Sequence, residues 1–156
     1  MAGARGLSRR WSEQLAAAPD VQRAAEQWRD WLKSERRVAA HTLSAYGRDL
    51  QQFFAFLATH LGEAPDLVAL GALGAGELRA WLAEAHARGL VAASRARALS
   101  SVRSFTRFLA KRGLAEITLG VRAPRLHRPP PRALARADAL QLVDTAAASD
   151  WTGARD

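Results

Sequence analysis

Apolar residues recur at spacings of three and four along much of this 156-residue chain, which is the period of an α-helix with one buried face. The pattern predicts four helices, at about residues 20–37, 42–61, 77–88 and 92–112, and the start of a fifth at residues 136–148. No segment shows the two-residue alternation that is typical of a half-buried strand. We therefore expect an all-α fold, a bundle of four to five helices.

The first two helices are predicted to begin at polar residues. Asp20, which follows Pro19, is placed to cap the first helix, and Thr42 is placed to cap the second. Trp28 and Trp31 lie on the apolar face of the first helix, so we expect them to anchor the core. The second helix carries an apolar stripe of Leu43, Tyr46, Leu50, Phe53 and Leu57. Its opposite face is short or polar and is free to lie against another surface.

Three glycines precede the third helix. Gly71, Gly74 and Gly76 predict an irregular loop, and Gly89 is placed to end the helix. The loop does not match a phosphate-binding loop, because no Lys-Ser or Lys-Thr pair follows the glycines.

The fourth helix has the most clearly separated faces. Its polar face spans an arc of about 120° at 100° per residue. This face holds Arg97, Ser100, Arg103, Ser104, Arg107 and Lys111, and no acidic residue of the helix interrupts it. Arginine and serine suit a DNA groove, because arginine pairs with phosphate or guanine and serine donates to phosphate without bulk. A solvated face is the alternative interpretation, although such faces usually interleave acids with bases.

A stretch rich in proline and arginine, VRAPRLHRPPPRAL, begins at residue 121. Its prolines prevent helix formation, so we expect an extended, semi-rigid interdomain linker. A lone helix beyond the linker has no partner for its apolar face, which indicates a second, incomplete domain. The predicted parts are a flexible extension at residues 1–18, a helical domain at 19–118, the linker at 119–133 and the start of the second domain at 134–156.

Charge is distributed unevenly along the chain. The 23 basic and 15 acidic residues give a formal net charge of +8. Residues 1–87 are balanced, with ten of each, whereas residues 88–136 hold twelve basic residues and one acid, Glu116. A strongly basic segment favours a polyanionic partner such as DNA or RNA. Arginine supplies 21 of the basic residues, which reflects either guanidinium chemistry or a GC-rich coding sequence.

Residues suited to catalysis or metal binding are sparse. The chain has no cysteine, which excludes disulfides, zinc fingers and thiol nucleophiles. Its four histidines are far apart in sequence, and its one tyrosine, Tyr46, belongs to an apolar stripe. We expect no metal, no nucleotide and no other cofactor. Since no apolar run is long enough to span a bilayer and no signal peptide is evident, we expect a cytoplasmic protein with no membrane partner. No small-molecule partner is expected either.

Three stretches of the chain resemble a known family. The runs HTLSAYGRDLQQFFAFL at residues 41–57 and RGLVAASRARALSSVRSFTRFLAKRG at 88–113, with the passage into PRALARADALQLV, are similar to the Xer subgroup of tyrosine recombinases and are XerC-like. The resemblance covers about residues 21–148. It implies a SAM-like core-binding domain of four or five helices, which forms half of a C-shaped clamp around duplex DNA.

The resemblance also implies which residues face the DNA. In the second helix they are Thr42, Ser44 and Arg48, and in the fourth they are Ser94, Arg95, Arg97, Ser100 and Arg103. The predicted DNA-binding set is completed by Ser104, Arg107 and Lys111 on the same helix face and by Arg122 and Arg125 in the linker. The family uses no metal or nucleotide, and its tyrosine nucleophile and catalytic arginines belong to a carboxy-terminal domain. No catalytic residue is therefore expected in this chain.

For a whole recombinase the resemblance implies strand cleavage through a 3′-phosphotyrosyl link. It also implies a heterotetramer with a XerD-like partner recombinase on two duplexes, a role in resolving chromosome dimers, and a septal DNA translocase as a companion. The chain alone is expected to bind DNA without cutting it. Three alternatives remain open: an integrase of a phage or mobile element, a standalone DNA-binding protein, and a helical module whose basic face binds an acidic protein.

Overall fold

The computed structural model describes residues 10–120. Within this range the chain forms five α-helices and no strand, so the predicted all-α fold is confirmed. The helices are α1 (Pro19–Ser34), α2 (Ala40–Leu61), α3 (Leu67–Gly71), α4 (Ala75–Ala87) and α5 (Ala92–Lys111), and a short 3-10 helix at Trp11–Gln14 precedes them. Most of the predicted linker, the helix predicted after it, and Arg122 and Arg125 lie outside the described residues.

The core forms where α1, α2 and α5 pack together, with α4 closing one side. Trp28 of α1 meets Phe105 of α5 edge to face, with ring centroids 5.6 Å apart. Phe53 of α2 meets Trp81 of α4 in the same way at 4.9 Å. Edge-to-face pairs of this kind contribute about 0.5–1.5 kcal/mol each beyond the burial of their surface. The predicted apolar faces are therefore confirmed at the residues that hold the helices together.

The prediction that Asp20 caps α1 is wrong. The helix begins one residue earlier, because Pro19 fits the first helical position and needs no hydrogen-bond acceptor for a backbone N–H. Asp20 therefore lies in the first turn. Its Oδ2 accepts the backbone N–H of Leu67 at 3.1 Å, which ties the start of α3 to α1.

The prediction that Thr42 caps α2 is also wrong. α1 ends at Ser34, and the chain passes through Arg37 with a positive φ of 48°. Helical hydrogen bonding then resumes at Ala40, with Ala39 as the residue before the helix and no side-chain cap. Thr42 consequently lies inside the first turn of α2, where its hydroxyl does not cap the start of the helix.

The glycine-containing segment before α4 is more ordered than predicted. Gly71 ends the short helix α3, whose start is capped by the side chain of Asp66 accepting a backbone N–H at 2.8 Å. A helix of five residues is too short to show a periodic pattern, which is why the sequence did not reveal it. Glu77 accepts the backbone N–H of Gly74 at 2.9 Å at the start of α4. Gly89 follows the end of that helix with a φ of 89°, as predicted.

Residues 1–18 were predicted to be a flexible extension, in which Trp11 and Leu15 either dock on the first helix or are disordered; residues 10–18 are ordered and packed. Leu15 and Ala17 are buried in the core, and the backbone N–H of Ala18 donates to a carbonyl oxygen near the start of α3 at 3.0 Å. Trp11 lies so close to Gly47 of α2 that a Cβ atom there would be 3.0 Å from the indole nitrogen. These residues therefore belong to the packed domain, because their apolar side chains cover α1 and α2.

Candidate nucleic-acid interface

The orientation of α5 is set by its buried face. Leu99, Val102 and Phe105 are almost completely buried, which fixes the rotation of the helix about its axis. The polar face predicted from the sequence consequently points outward. Four of its side chains are exposed and two are half-buried; the exposed ones are Arg97, Ser100, Arg107 and Lys111, and the half-buried ones are Arg103 and Ser104.

Arg97 is not a free cation on this face. Its Nε and Nη2 donate to the two carboxylate oxygens of Asp49 on α2, at 2.9 and 3.0 Å. Asp49 is only 4% exposed, whereas the side chain of Arg97 is 45% exposed. The hydrogen bonds to Asp49 raise the pKa of Arg97 above its ordinary value, although partial burial opposes the shift. No acidic residue of α5 interrupts the basic face, as predicted, but an acid from another helix, Asp49, neutralises Arg97.

Three more of the predicted residues make hydrogen bonds within the protein. Ser104 accepts the indole N–H of Trp28 at 3.1 Å, which gives a polar partner to a buried ring. Ser100 donates to the carbonyl oxygen of Ala96, one turn earlier, at 3.0 Å. Arg95 donates to a carbonyl oxygen in the turn before α5, that of Leu90. Arg95 therefore supports the start of the helix in addition to any contact with a ligand.

The middle of α5 borders a concavity of about 380 Å³, which we call the arginine pocket. Three arginines line it, Arg103 and Arg107 on α5 and Arg36 just after α1. Ser100 and Ser104 line the same pocket. Four residues that the sequence assigned to DNA binding are thus brought together around one cavity.

Five further residues line this pocket and were not predicted as site residues, among them Trp31, Tyr46 and Arg36. Trp31 and Tyr46 were expected in the core; both pack against it but are only half-buried, and both line the pocket. The guanidinium carbon of Arg36 lies 5.6 Å from the centre of the Trp31 ring, and the amino group of Lys111 lies 5.8 Å from it. The sequence pattern assigned Arg36 to the end of the first helix. The one sequence signal for its position is Trp31, five residues earlier, because cations pack favourably over indole rings.

The predicted residues of α2 lie apart from the arginine pocket. Ser44 and Arg48 are exposed and Thr42 is half-buried, and none of the three lines the pocket. Ser94, in the first turn of α5, is also half-buried and away from it. Of the predicted set, the structure brings together the four residues in the middle of α5 that line the pocket.

Few cations in the described part of the chain have a carboxylate partner. Within residues 10–120 the ion pairs are Arg97 with Asp49 and, at 3.7 Å, Arg88 with Glu84. Neither pair involves Arg36, Arg103, Arg107 or Lys111. Cations that lack an internal partner raise the local positive potential and are available to an external anion. The face around the arginine pocket is therefore suited to a polyanion.

A metal site, a tyrosine nucleophile and a membrane span would each need distinct features within residues 10–120. Histidine and carboxylate side chains form no cluster of three or more there that would hold a metal ion. The ring of Tyr46 is stacked in parallel on Trp28, with centroids 6.4 Å apart, which is a packing role. None of the helices in this part is both long and apolar enough to cross a membrane.

Comparison with known proteins agrees with the resemblance seen in the sequence. Residues 25–113 match the family described as phage integrase, N-terminal SAM-like domain. The chain is 46% identical over 148 residues to tyrosine recombinase XerC of Rhodospirillum centenum and 44% identical over 149 residues to that of Methylobacterium nodulans. It is 39% identical over 147 residues to that of Brucella suis.

These alignments cover 91% of this chain but only 43%, 46% and 47% of the three relatives, so the chain spans less than half the length of the curated relatives it matches. No solved structure matches. The family match extends over more than half of the chain and agrees with its all-helical fold. The chain therefore belongs to the phage integrase N-terminal SAM-like domain family, and it is similar to the XerC tyrosine recombinases.

Proposed function

We propose that this chain is the DNA-binding amino-terminal part of a site-specific tyrosine recombinase, and that the exposed face of α5 grips duplex DNA. One observation carries the proposal. Four cations gather at this face, and none has a carboxylate within 4.0 Å among residues 10–120; they are Arg36, Arg103, Arg107 and Lys111. An ordinary solvated helix intersperses acids among such bases, whereas α5 contains none.

The physical basis of the grip is neutralisation of phosphate charge. Each phosphate that a cation neutralises releases condensed counterions, so the logarithm of the binding constant falls with the logarithm of salt concentration by about 0.9 per phosphate. Four such contacts give a slope of about −3.6. Side chains that contact phosphate fix the position of the duplex. We propose further contacts from α2 through Ser44 and Arg48, a proposal that the exposure of both residues supports.

The similarity to XerC proteins supports finer proposals, which concern the whole protein. We propose that it acts in the cytoplasm with a XerD-like partner in a heterotetramer on two duplexes, and that it resolves chromosome dimers at cell division with the help of a septal DNA translocase. We also propose that the present chain binds DNA without cleaving it. Incubation with a supercoiled plasmid tests this last point, since a covalent protein–DNA product would contradict it.

Salt-dependent DNA binding tests the grip itself. Fluorescence anisotropy with a labelled duplex of about 30 base pairs compares the chain with a variant carrying Arg103→Gln, Arg107→Gln and Lys111→Gln. We expect the salt slope to fall by about 2.7 in magnitude, since three cations are removed. A matched control removes three exposed cations from other helices, through Arg23→Gln, Lys33→Gln and Arg79→Gln.

The control separates a local grip from a general effect of charge. We expect the control variant to retain most of the slope, because none of its three cations lines the arginine pocket. Equal losses in both variants would mean that only net charge matters. Absence of binding at low salt would contradict the DNA-binding function and would favour an acidic protein partner for the α5 face.

A further inference from the structure

The arginine pocket is built from two separate parts of the chain. Arg103 and Arg107 come from the middle of α5, whereas Arg36 comes from the connection between α1 and α2. Positive side chains that line one cavity, as these three arginines do, repel each other, and an anion between them would relieve the repulsion. Neither of the two ion pairs within residues 10–120 includes any of the three. The pocket therefore has a net positive charge that its own neighbours do not balance.

The hydrogen-bond donors of the pocket are oriented by contacts already present. The hydroxyl oxygen of Ser104 accepts the indole N–H of Trp28, so its own hydrogen remains available to donate. Arg36 lies over the ring of Trp31, with the guanidinium carbon 5.6 Å from the ring centre. A guanidinium that packs on an aromatic ring keeps its N–H groups free at its edge. These contacts hold donors near the cavity before any ligand arrives, which lowers the entropy cost of binding.

We infer that the arginine pocket seats one phosphodiester group of the DNA backbone and that Arg36 completes the seat. The inference rests on the proposed function. A phosphate presents several acceptor oxygens, and arginine can donate two parallel hydrogen bonds to such a group. Arg36 and Arg107 are exposed, so the seat opens to solvent. An open seat fits a phosphate that a duplex presents from outside, whereas a small soluble ligand is usually enclosed over most of its surface.

The inference adds a residue from outside α2 and α5 to the DNA contacts. If Arg36 contacts a phosphate, the connection between α1 and α2 lies against the DNA backbone beside α5. Arg37 provides a matched control, because it is the next residue, is equally charged and exposed, and does not line the pocket. A role for general charge predicts equal effects at both positions. A phosphate seat predicts an effect at Arg36 alone.

The test compares Arg36→Gln with Arg37→Gln on a labelled duplex of about 20 base pairs across several salt concentrations. We expect Arg36→Gln to weaken binding about tenfold at low salt, because a charge-assisted hydrogen bond is lost. The salt slope should fall in magnitude by up to about 0.9, and Arg37→Gln should change both quantities much less. Circular dichroism checks that both variants keep the helical content of the wild type.

Coupling between substitutions tests whether the arginines hold the same phosphate. If they do, Arg36→Gln with Arg107→Gln weakens binding by less than the product of the single effects, whereas Arg37→Gln with Arg107→Gln follows the product. Equal effects of Arg36→Gln and Arg37→Gln, while wild type still binds DNA, would overturn the seat and leave the proposed function intact. Absence of DNA binding by the wild type would instead contradict the proposed function.

A second arm separates backbone phosphate from a free anion. Calorimetric titration of the chain with inorganic phosphate measures binding of the soluble ion. We expect only weak binding, with no saturation at millimolar concentration, because a lone ion brings no neighbouring contacts. Saturable binding that Arg36→Gln abolishes, together with DNA binding that Arg36→Gln does not change, would assign the pocket to a soluble anion and overturn the inference.

Discussion

The ion pair between Asp49 and Arg97 makes the most demanding prediction about the fold. Asp49 is 4% exposed and bonds through both oxygens to Arg97, so the pair fastens the middle of α2 to the first half of α5. Breaking a fully buried pair costs about 3–5 kcal/mol, and breaking an exposed pair costs less than about 1 kcal/mol. The side chain of Arg97 is 45% exposed and regains water when its partner is removed. The free-energy cost of breaking this pair therefore lies between these two limits.

We expect Asp49→Ala to lower the free energy of unfolding by about 2 kcal/mol. Asp49→Asn keeps one amide oxygen as an acceptor and should cost about 1 kcal/mol. Arg97→Ala should cost at least as much as Asp49→Ala, because it leaves a buried carboxylate without a partner. The double variant Asp49→Leu with Arg97→Met should lie closer to the wild type than either single alanine variant, since apolar side chains of similar volume replace the whole pair.

Urea unfolding followed by far-ultraviolet circular dichroism measures these differences. The double variant Asp49→Ala with Arg97→Ala completes a cycle that isolates the coupling between the two residues. A loss below about 0.5 kcal/mol for Asp49→Ala, or single losses that simply add in the double variant, would refute the structural role of the pair. The pair also predicts that Arg97→Gln changes the salt slope of DNA binding less than Arg107→Gln does.

Three further substitutions test individual contacts by the same unfolding measurement. A Cβ atom at Gly47 would lie 3.0 Å from the ring of Trp11, so Gly47→Ala should stabilise the domain, by about 1 kcal/mol, only in a Trp11→Ala background. Stabilisation by Gly47→Ala with Trp11 present would contradict the close approach. Ser104→Ala should cost about 1 kcal/mol, because the indole N–H of Trp28 loses its acceptor, and an unchanged stability would show that water replaces the hydroxyl. The hydrogen bond from the backbone N–H of Gly74 lowers the pKa of Glu77, so Glu77→Gln should cost about 0.5–1 kcal/mol of stability at neutral pH. This stability is present above the ordinary glutamate pKa and disappears as the pH falls through the lowered pKa of the folded protein. A stability difference between wild type and variant that persists at about pH 2 would contradict the prediction.

The buried faces of the helices could be predicted because they depend on residue spacing alone. Leu99, Val102 and Phe105 recur along one side of α5, and all three are buried in the structure. The helix boundaries could not be predicted as well from the sequence. Ala39 and Ala18 precede α2 and α1 without any side-chain cap, so the polar residues nearby gave a misleading signal.

Contacts between helices could not be predicted from the pattern of one helix. Asp49 lies among apolar residues of α2, and its partner Arg97 is 48 residues away in sequence. Arg36 lines the arginine pocket from just beyond the end of α1, where its backbone N–H donates to the carbonyl oxygen of Trp31, so the pattern of α5 alone does not reveal it. The candidate site is therefore partly visible as the polar face of α5, whereas the charges that are neutralised or added there depend on the tertiary fold.

The central claim is that the α5 face around the arginine pocket is the surface that meets DNA. Amide chemical shifts of the ¹⁵N-labelled chain, titrated with a duplex of about 20 base pairs, test it most directly. We expect the largest shifts at residues 100–111 and at Arg36, and small shifts at the surface where α2 meets α4 near His60 and Arg88. Shifts that cluster near His60 and Arg88, with α5 unchanged, would contradict the account.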